Sequence, residues 1–297
     1  MSVKSGPWPW TLAYVLFVIL FGAVVRITGS GAGCGQHWPS CHGEVVHLPR
    51  SVETLIELTH RVTSGLSVFL VLGALVYTGR ARGRRHLSTR AAGFALGFLL
   101  LEALLGAALV LLELVGTDAS RMRALVMALH LVNTALLTLA LVAAAWAFGK
   151  RFPAIGRGAP GQLAVVLLGG GLLLAVSASG AVTALGDTVL PVSGDHWQAV
   201  ASAGTEAHFL EQVRGVHPVL ATLGALVLFW LSDRLAPSRA RSLLPWAVGV
   251  QILAGLSNVL LSAPGWMQVV HLALANLVWL IFVWASLETL GRDRTPE

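Results

Sequence analysis

Eight long apolar runs constrain the fold of this chain more than any other feature of its sequence. They lie at 10–27, 55–77, 91–114, 123–148, 163–185, 208–231, 243–261 and 267–287. Each run is near the length of roughly 20 residues that an α-helix needs to cross a bilayer. Backbone groups in lipid must be paired within a helix or a closed barrel, and barrel strands alternate polar with apolar residues. These continuous runs predict an all-α membrane protein with eight transmembrane helices.

The composition fits a chain that faces lipid over much of its surface. Hydrophobic residues make up 56% of the 297 residues and charged residues 11%, whereas about a quarter of a soluble domain is charged. The net charge of +6 is not gathered on a single basic face, so we expect no nucleic-acid partner. The basic residues instead cluster in short segments between the apolar runs, as topology signals do.

These basic residues predict the orientation of the helices. They follow the second, fourth and sixth runs and lie near both termini: Arg80, Arg82, Arg84, Arg85, Arg90, Lys150, Arg151, Arg157, Arg234, Arg239, Arg241, Lys4, Arg292 and Arg294. The segment 186–207 contains no lysine or arginine. The positive-inside rule therefore places both termini in the cytoplasm and the odd-numbered loops outside, in a multi-pass protein of the cell membrane.

A weak internal repeat divides the chain in two. The first run ends in "GAVVRITGSG" and the fifth in "GAVTALGDT", while the fourth contains "HLVNTALL" and the eighth "HLALANLV". Because four helices form an even number, both halves have the same orientation, as in parallel-repeat membrane proteins. We expect two pseudo-symmetric four-helix bundles at 1–149 and 161–297, joined by a cytoplasmic linker at 150–160.

Four histidines lie inside the apolar runs, two in each half. They are His60, His130, His217 and His271, in the second, fourth, sixth and eighth runs. All four fall at a similar depth near the outer face, and neutral imidazoles on facing helices can bind heme iron from both sides. A structural hydrogen bond to a neighbouring helix is the alternative for any one of them. Zinc or copper is less favoured, since no carboxylate or thiolate set accompanies them.

Charged residues near two of these histidines are further candidates. Glu57 precedes His60 by three residues, so the two side chains share a helix face, where a carboxylate can transfer protons or stabilise positive charge. A helix N-terminal acid that favours the dipole is the alternative. Arg61 and Arg214 lie near the outer ends of their helices and suit heme propionates, although interfacial snorkelling explains them equally well.

A cysteine pair distinguishes the first half from the second. Cys34 and Cys41 lie seven residues apart in the first outer loop, and the chain has no other cysteine. The oxidising exterior favours a disulfide there, either structural or redox-active. Since the second half has neither the cysteines nor a counterpart of Glu57, we expect one half to be a reaction site. The other half is then an electron-transfer or structural heme site.

These residues resemble one known family, the heme A synthases. The resemblance rests on "RITGSGAGCGQHWPSC" at 26–41 and "ELTHR" at 57–61, together with His130, His217 and His271. It extends over essentially the whole chain, including the eight helices and the two halves. In that family Cys34 and Cys41 correspond to an outer-loop pair that is present in some members.

The resemblance implies an enzyme that oxidises the C8 methyl group of heme O to a formyl group, with oxygen taken from water. It implies that His60 and His130 hold the substrate heme, that His217 and His271 hold a permanent heme b, and that Glu57 is the catalytic acid. Heme O synthase and cytochrome oxidase assembly factors are the implied partners, and a homo-oligomer is left open. The residues alone also allow a b-type cytochrome that passes electrons between quinol and a partner, or a heme carrier without activity.

Overall fold

The computed structural model describes residues 6–156, 158–192 and 207–293. Three of the basic residues used to predict the orientation lie outside these ranges: Lys4, Arg157 and Arg294. Most of the loop 186–207 also lies outside them. Within the described ranges, eight helical spans are long and apolar enough to cross a membrane. The predicted all-α protein with eight spans is therefore confirmed.

The spans are built from nine helices of the described residues. These are α1 (Trp8–Ile27), α2 (Val52–Arg82), α3 (Leu87–Leu111), α4 (Arg121–Phe148), α5 (Gln162–Val189), α6 (Phe209–Gln212), α7 (Val216–Ser232), α8 (Arg239–Leu260) and α9 (Gly265–Leu290). Serine side chains determine where three of them begin. The side chains of Ser51, Ser120 and Ser238 each accept a hydrogen bond from the backbone N–H of the residue three positions later. Each bond satisfies one of the amide groups that have no partner in the first turn of a helix.

The sixth span is interrupted, which the sequence prediction of one continuous run at 208–231 did not anticipate. Helix α6 ends at Gln212 and α7 begins at Val216. Pro218 lies in the first turn of α7 and has no backbone N–H to donate to the carbonyl of Arg214. A continuous helix cannot be paired at that point, so the chain restarts just before the proline, a position that tolerates it.

Each half forms a closed ring of four spans. In the first half α1 contacts α2, α2 contacts α3, α3 contacts α4, and α4 returns to α1. In the second half α5 contacts α7, α7 contacts α8, α8 contacts α9, and α9 returns to α5. The spans that carry the histidines, α2 with α4 and the sixth span with α9, are therefore opposite each other across their rings.

The two rings meet along α4, α5, α9 and α1. At this interface the indole Nε1 of Trp279 on α9 donates to the carbonyl oxygen of Ala135 at 2.9 Å and to Oγ1 of Thr138 at 3.1 Å, both on α4. A second connection lies at the opposite end from the histidines. Strand β1 (Pro153–Ile155), between the halves, pairs antiparallel with β2 (Gly291–Asp293), directly after α9.

Candidate functional site

The four intramembrane histidines occupy matched positions along their spans. His60 and His130 lie eight and nine residues after the first residues of α2 and α4, Val52 and Arg121. In the second half, His217 lies eight residues after the start of α6, and His271 lies six after the start of α9. At 1.5 Å per residue these positions are about 9–14 Å along each helix. All four imidazoles therefore lie in one layer at the same end of the molecule.

The second-half rings lie at a distance that suits one shared metal ion. The ring centres of His217 and His271 are 6.3 Å apart, with an angle of 82° between their planes. A metal–imidazole bond is about 2 Å long, and the ring centre lies roughly 1 Å further away. Two imidazoles on opposite sides of one iron therefore have centres about 6 Å apart, in agreement with the structure.

Glycines on neighbouring helices leave room for three of these rings. A Cβ atom on Gly180 of α5 would lie 2.9 Å from Cε1 of His217, and one on Gly255 of α8 would lie 3.0 Å from Cε1 of His271. In the first half, a Cβ on Gly22 would lie 3.2 Å from Cε1 of His60. These imidazoles rest against bare backbone, which fixes their position between the helices.

The first-half rings are held by different neighbours. His60 packs edge-on against Phe21, with ring centres 5.8 Å apart, and Nδ1 of His130 pairs with Oε2 of Glu102 on α3. The contacts of the described residues include no ring-to-ring contact between His60 and His130 like that of the second half. The sequence alone does not indicate the partner of Glu102, because that partner depends on how α3 is rotated against α4.

Each of the four rings keeps one nitrogen without a hydrogen bond among the described residues. Nδ1 of His60 and Nδ1 of His271 are buried without a partner. His130 and His217 use Nδ1, which bonds Glu102 and, at 3.1 Å, Oγ of Ser179. Their Nε2 atoms are left over. Four imidazoles, each with a nitrogen to spare, fit the axial positions of heme iron.

Glu57 lies buried one turn before His60. Its residue is 3% exposed, and Oε2 accepts the backbone N–H of Cys34 at 2.7 Å. Nε of Arg61 donates to Oε1 at 3.1 Å, and Nη2 of Arg61 pairs with the same oxygen. The carboxylate is thus held by both the helix and the preceding loop, which the sequence could not indicate.

The loop between α1 and α2 is fastened over Glu57. Cys34 and Cys41 form a disulfide and are both buried. Nη1 of Arg61 donates to the carbonyl oxygens of His37 at 2.5 Å and Ser40 at 2.6 Å, so Arg61 links this loop to α2. At Gly33 the loop approaches the backbone of α2 closely, since a Cβ there would lie 2.6 Å from the carbonyl of Glu53.

Arg214 occupies the position in the second half that Glu57 occupies in the first, three residues before the histidine. It is 3% exposed and pairs with Oδ1 of Asp187 on α5 at 2.9 Å. It also donates to the carbonyl oxygen of Leu190 at 2.7 Å. The predicted propionate role of Arg61 and Arg214 stays a prediction, with both guanidinium groups already bonded to protein oxygens.

Comparison with known proteins places this arrangement in a family. Residues 8–283 match the COX15-CtaA family, described as cytochrome oxidase assembly protein. The chain belongs to this family. The COX15-CtaA match covers both rings and all four intramembrane histidines, so the family resemblance inferred from the sequence motifs is confirmed.

Individual COX15-CtaA relatives differ in length and name. Proteins from two strains of Thermus thermophilus, both named protoheme IX farnesyltransferase, are 44% identical over 290 residues, covering 95% of this chain and 47% of each relative. A heme A synthase of Staphylococcus saprophyticus is 42% identical over 112 residues, 37% of each chain. One of Bacillus licheniformis is 41% identical over 120 residues, 40% of this chain and 37% of the relative. The chain thus spans about half the length of the Thermus relatives.

Proposed function

We propose that this chain is a heme A synthase, which oxidises the C8 methyl group of heme O to a formyl group. The observation that carries the proposal is a buried carboxylate one turn before His60, at the position that Arg214 occupies in the second half. A protein that only passes electrons needs no reactive side chain beside a heme, whereas an enzyme that modifies a heme needs one. The heme A synthases among the relatives support the same activity.

The two halves divide the work in this proposal. His60 and His130, in the half at 1–149, bind the substrate heme, and His217 and His271, in the half at 161–297, bind heme b. Heme b, when bound, supplies a one-electron redox centre. The spacing of 6.3 Å between the ring centres of His217 and His271 supports a permanent low-spin ligand pair.

Glu57 is the residue to which we assign the chemistry. Conversion of a methyl group and one water molecule to a formyl group releases four electrons and four protons, so an external oxidant must accept the electrons. A carboxylate fixed beside the reacting carbon stabilises the positive charge that develops there and accepts a proton from the attacking water. The bonds from Cys34 and Arg61 hold the carboxylate in place, so it need not reorient during the reaction.

The proposal extends to location and partners. We place the imidazole layer near the outer face of the cell membrane, with both termini in the cytoplasm, on the strength of the basic loops. A membrane farnesyltransferase that acts on protoheme IX would supply the substrate. The name of the Thermus relatives, which share this chain's sequence over 47% of their length, supports that partnership. Cytochrome oxidase assembly factors would receive the product.

Replacing the carboxylate tests the activity. Glu57→Gln keeps the shape of the side chain and removes the negative charge. One oxygen becomes an NH₂ group, which cannot accept, so either the bond from Cys34 or the bonds from Arg61 are also lost. We expect the rate of heme A formation to fall by about 10²-fold or more, the usual contribution of an acid–base residue. The measurement is expression of the full chain with a supply of heme O, followed by acid extraction and chromatography of the hemes.

The second-half heme provides the internal control for Glu57→Gln. Its low-spin absorption spectrum should be unchanged, because Glu57 lies in the other ring. Normal heme A formation by the variant would refute the role of Glu57. Bound heme without any heme A in extracts of the unaltered protein would refute the enzyme and favour a b-type cytochrome or a carrier.

A further inference from the structure

A buried carboxylate on α3 contacts the histidine of α4 directly. Oε2 of Glu102 pairs with Nδ1 of His130, and the Glu102 side chain is 11% exposed. Its other oxygen, Oε1, accepts hydrogen bonds from Nδ2 of Asn133 at 2.7 Å and from Oγ1 of Thr134 at 3.0 Å. Three donors from α4 therefore fix this carboxylate against the imidazole, and the Nε2 atom of His130 remains for iron.

The helix that carries Glu102 has a close equivalent in the second half. Helix α3 ends at Leu111 and is followed by Glu113 with φ +57°, and α8 ends at Leu260 and is followed by Ser262 with φ +60°. The backbone bonds at both ends follow one pattern, since the N–H groups of Glu113 and Ser262 each donate to the carbonyl three residues earlier. The two helices can therefore be superposed residue by residue.

In this register Glu102 corresponds to Gln251, each eleven residues before the residue with positive φ. Gln251 also contacts the histidine of the next helix, with its amide nitrogen 3.2 Å from Nε2 of His271. The amide nitrogen of Gln251 is a neutral donor at Nε2 of His271, whereas the carboxylate of Glu102 is an anionic acceptor at Nδ1 of His130. Equivalent positions of the two halves thus present a charged partner to one histidine and an uncharged partner to the other.

We propose that Glu102 is a positioning residue that gives His130 anionic character and thereby holds the iron of the first half at a lower midpoint potential than the iron of the second half. This inference rests on the proposed binding of a heme by each half. A carboxylate that accepts the Nδ1 proton raises the basicity of a metal-bound imidazole. A more basic axial ligand stabilises ferric over ferrous iron, since hydrogen bonding to the ligands is one of the ways a protein adjusts heme potential.

The placement of the carboxylate matches the division of labour between the halves. The porphyrin that loses electrons lies in the half with Glu57 and Glu102, and a strong axial donor makes that macrocycle easier to oxidise. The half with Gln251 keeps a neutral ligand pair, which favours the reduced state. The difference in potential therefore directs electrons away from the substrate.

The first test uses the protein without any change near Glu102. A potentiometric titration of the purified chain, loaded with both hemes, should give two midpoints. The His271→Ala variant, which removes a ligand of the second half, identifies the first-half heme by the signal that remains. We expect that signal to be the lower of the two midpoints, and the reverse order would overturn the inference.

The second test removes the charge of Glu102 while keeping the side chain in place. In Glu102→Gln the amide oxygen can accept the Nδ1 proton of His130. Its NH₂ group then faces Nδ2 of Asn133, so the Asn133 amide must turn to bring its unpartnered Oδ1 into contact. We expect the ratio of reduced to oxidised first-half heme at a fixed potential to rise about tenfold, which is a shift of about 59 mV for one electron. The second-half midpoint should not move.

Thr134→Val is the matched control. It removes a different donor from the same carboxylate at 3.0 Å but leaves the pair between Glu102 and His130 intact, so the midpoint should stay near that of the unaltered protein. An unchanged midpoint in Glu102→Gln, or an equal shift in Thr134→Val, would overturn the role of Glu102 while leaving the proposed enzyme standing. Failure of the unaltered first half to bind heme would instead refute the proposed function itself.

Discussion

At the scale of single residues, the glycines opposite the histidines belong to the site as much as the imidazoles do. Gly22, Gly180 and Gly255 each lie where a Cβ atom would press on a ring carbon of the neighbouring histidine. Such a Cβ atom would displace the ring and so change where its nitrogens point. The site therefore depends on residues that have no functional group of their own.

Gly180→Ala tests this dependence. The added Cβ would lie 2.9 Å from Cε1 of His217, so the ring must turn or α5 must move away from α7. We expect loss of most of the low-spin heme spectrum of the second half, together with overpacking that costs about 1–3 kcal/mol of stability. Gly171→Ala, on the same helix with open space around it, should bind heme as the unaltered chain does.

The sequence was sufficient to find the histidines but not their neighbours. A histidine is conspicuous in an apolar run, and four at similar depth are more so. The contact between Glu102 and His130 depends on the rotation of α3 against α4, which hydrophobic periodicity cannot specify when the helix is apolar on every side. The repeated "GAV" at Gly22 and Gly180 was the one sequence signal for a glycine against each second-span histidine.

At the scale of elements, the loop before α2 and the helix itself form one unit around Glu57. The loop contributes the N–H of Cys34, and α2 contributes Arg61, which also bonds loop carbonyls. Thr54 of α2 donates from Oγ1 to the carbonyl of Gly33 at 2.7 Å. The position of the carboxylate therefore depends on how closely the loop lies on the helix.

Gly33→Ala should lift this loop from α2. Its Cβ would lie 2.6 Å from backbone atoms of Glu53, which cannot move aside as a flexible side chain can. We expect heme A formation to slow by about tenfold, equivalent to about 1.4 kcal/mol in the barrier, because Glu57 loses its bond to Cys34. Gly31→Ala, whose Cβ would meet Val115 at an ordinary 3.4 Å, should keep the normal rate. Equal rates of heme A formation in the two variants would argue against a role for the contact between this loop and α2.

The spans themselves were predictable and their internal details less so. Seven of the eight predicted runs each became one helix and the sixth became α6 and α7, because length and apolar content suffice when no water is available to the backbone. Pro218 was the sequence feature that indicated the break between α6 and α7, but a prediction based only on the length of the apolar run does not take it into account. The fastening of the loop on α2 had no such sequence feature, since it depends on backbone carbonyls that any residue provides.

At the scale of the whole molecule, the two rings are joined by polar contacts within an apolar interface. Arg26 at the end of α1 donates to the carbonyl oxygen of Ala184 at 2.7 Å and to Oε1 of Gln268 at 2.9 Å, so it connects the first ring to α5 and α9. Trp279 makes the corresponding connection deeper in the interface. The two proposed heme sites, held in this way, keep a fixed separation.

Trp279→Phe tests the contribution of the deeper contact. The change keeps most of the aromatic surface but leaves the carbonyl of Ala135 and the hydroxyl of Thr138 without their indole donor. We expect the free energy of unfolding to fall by about 1–3 kcal/mol, the cost of unpaired buried groups, measured by thermal unfolding in detergent. Trp284→Phe, which loses a bond to Glu288 on its own helix, should change stability much less. An equal loss in both variants would contradict the role of the interface.

The repeat in the sequence predicted two equivalent halves but could not predict how they meet. Four apolar helices per half offer many lipid-facing surfaces, and nothing in their composition selects α1, α4, α5 and α9 for the interface. The selection depends on particular small and polar residues that meet only when the rings are assembled.

The pairing of β1 with β2 has a consequence for how the chain could be divided. Strand β1, which follows the first ring, forms backbone hydrogen bonds with strand β2, which follows the last helix. Pro153 pairs with Asp293 and Ile155 pairs with Gly291. If the backbone were cut after Gly156, the first fragment would keep β1 and the second fragment would keep β2. Two separately synthesised fragments would then share this backbone pairing, in addition to the helix interface, as a contact that favours their assembly.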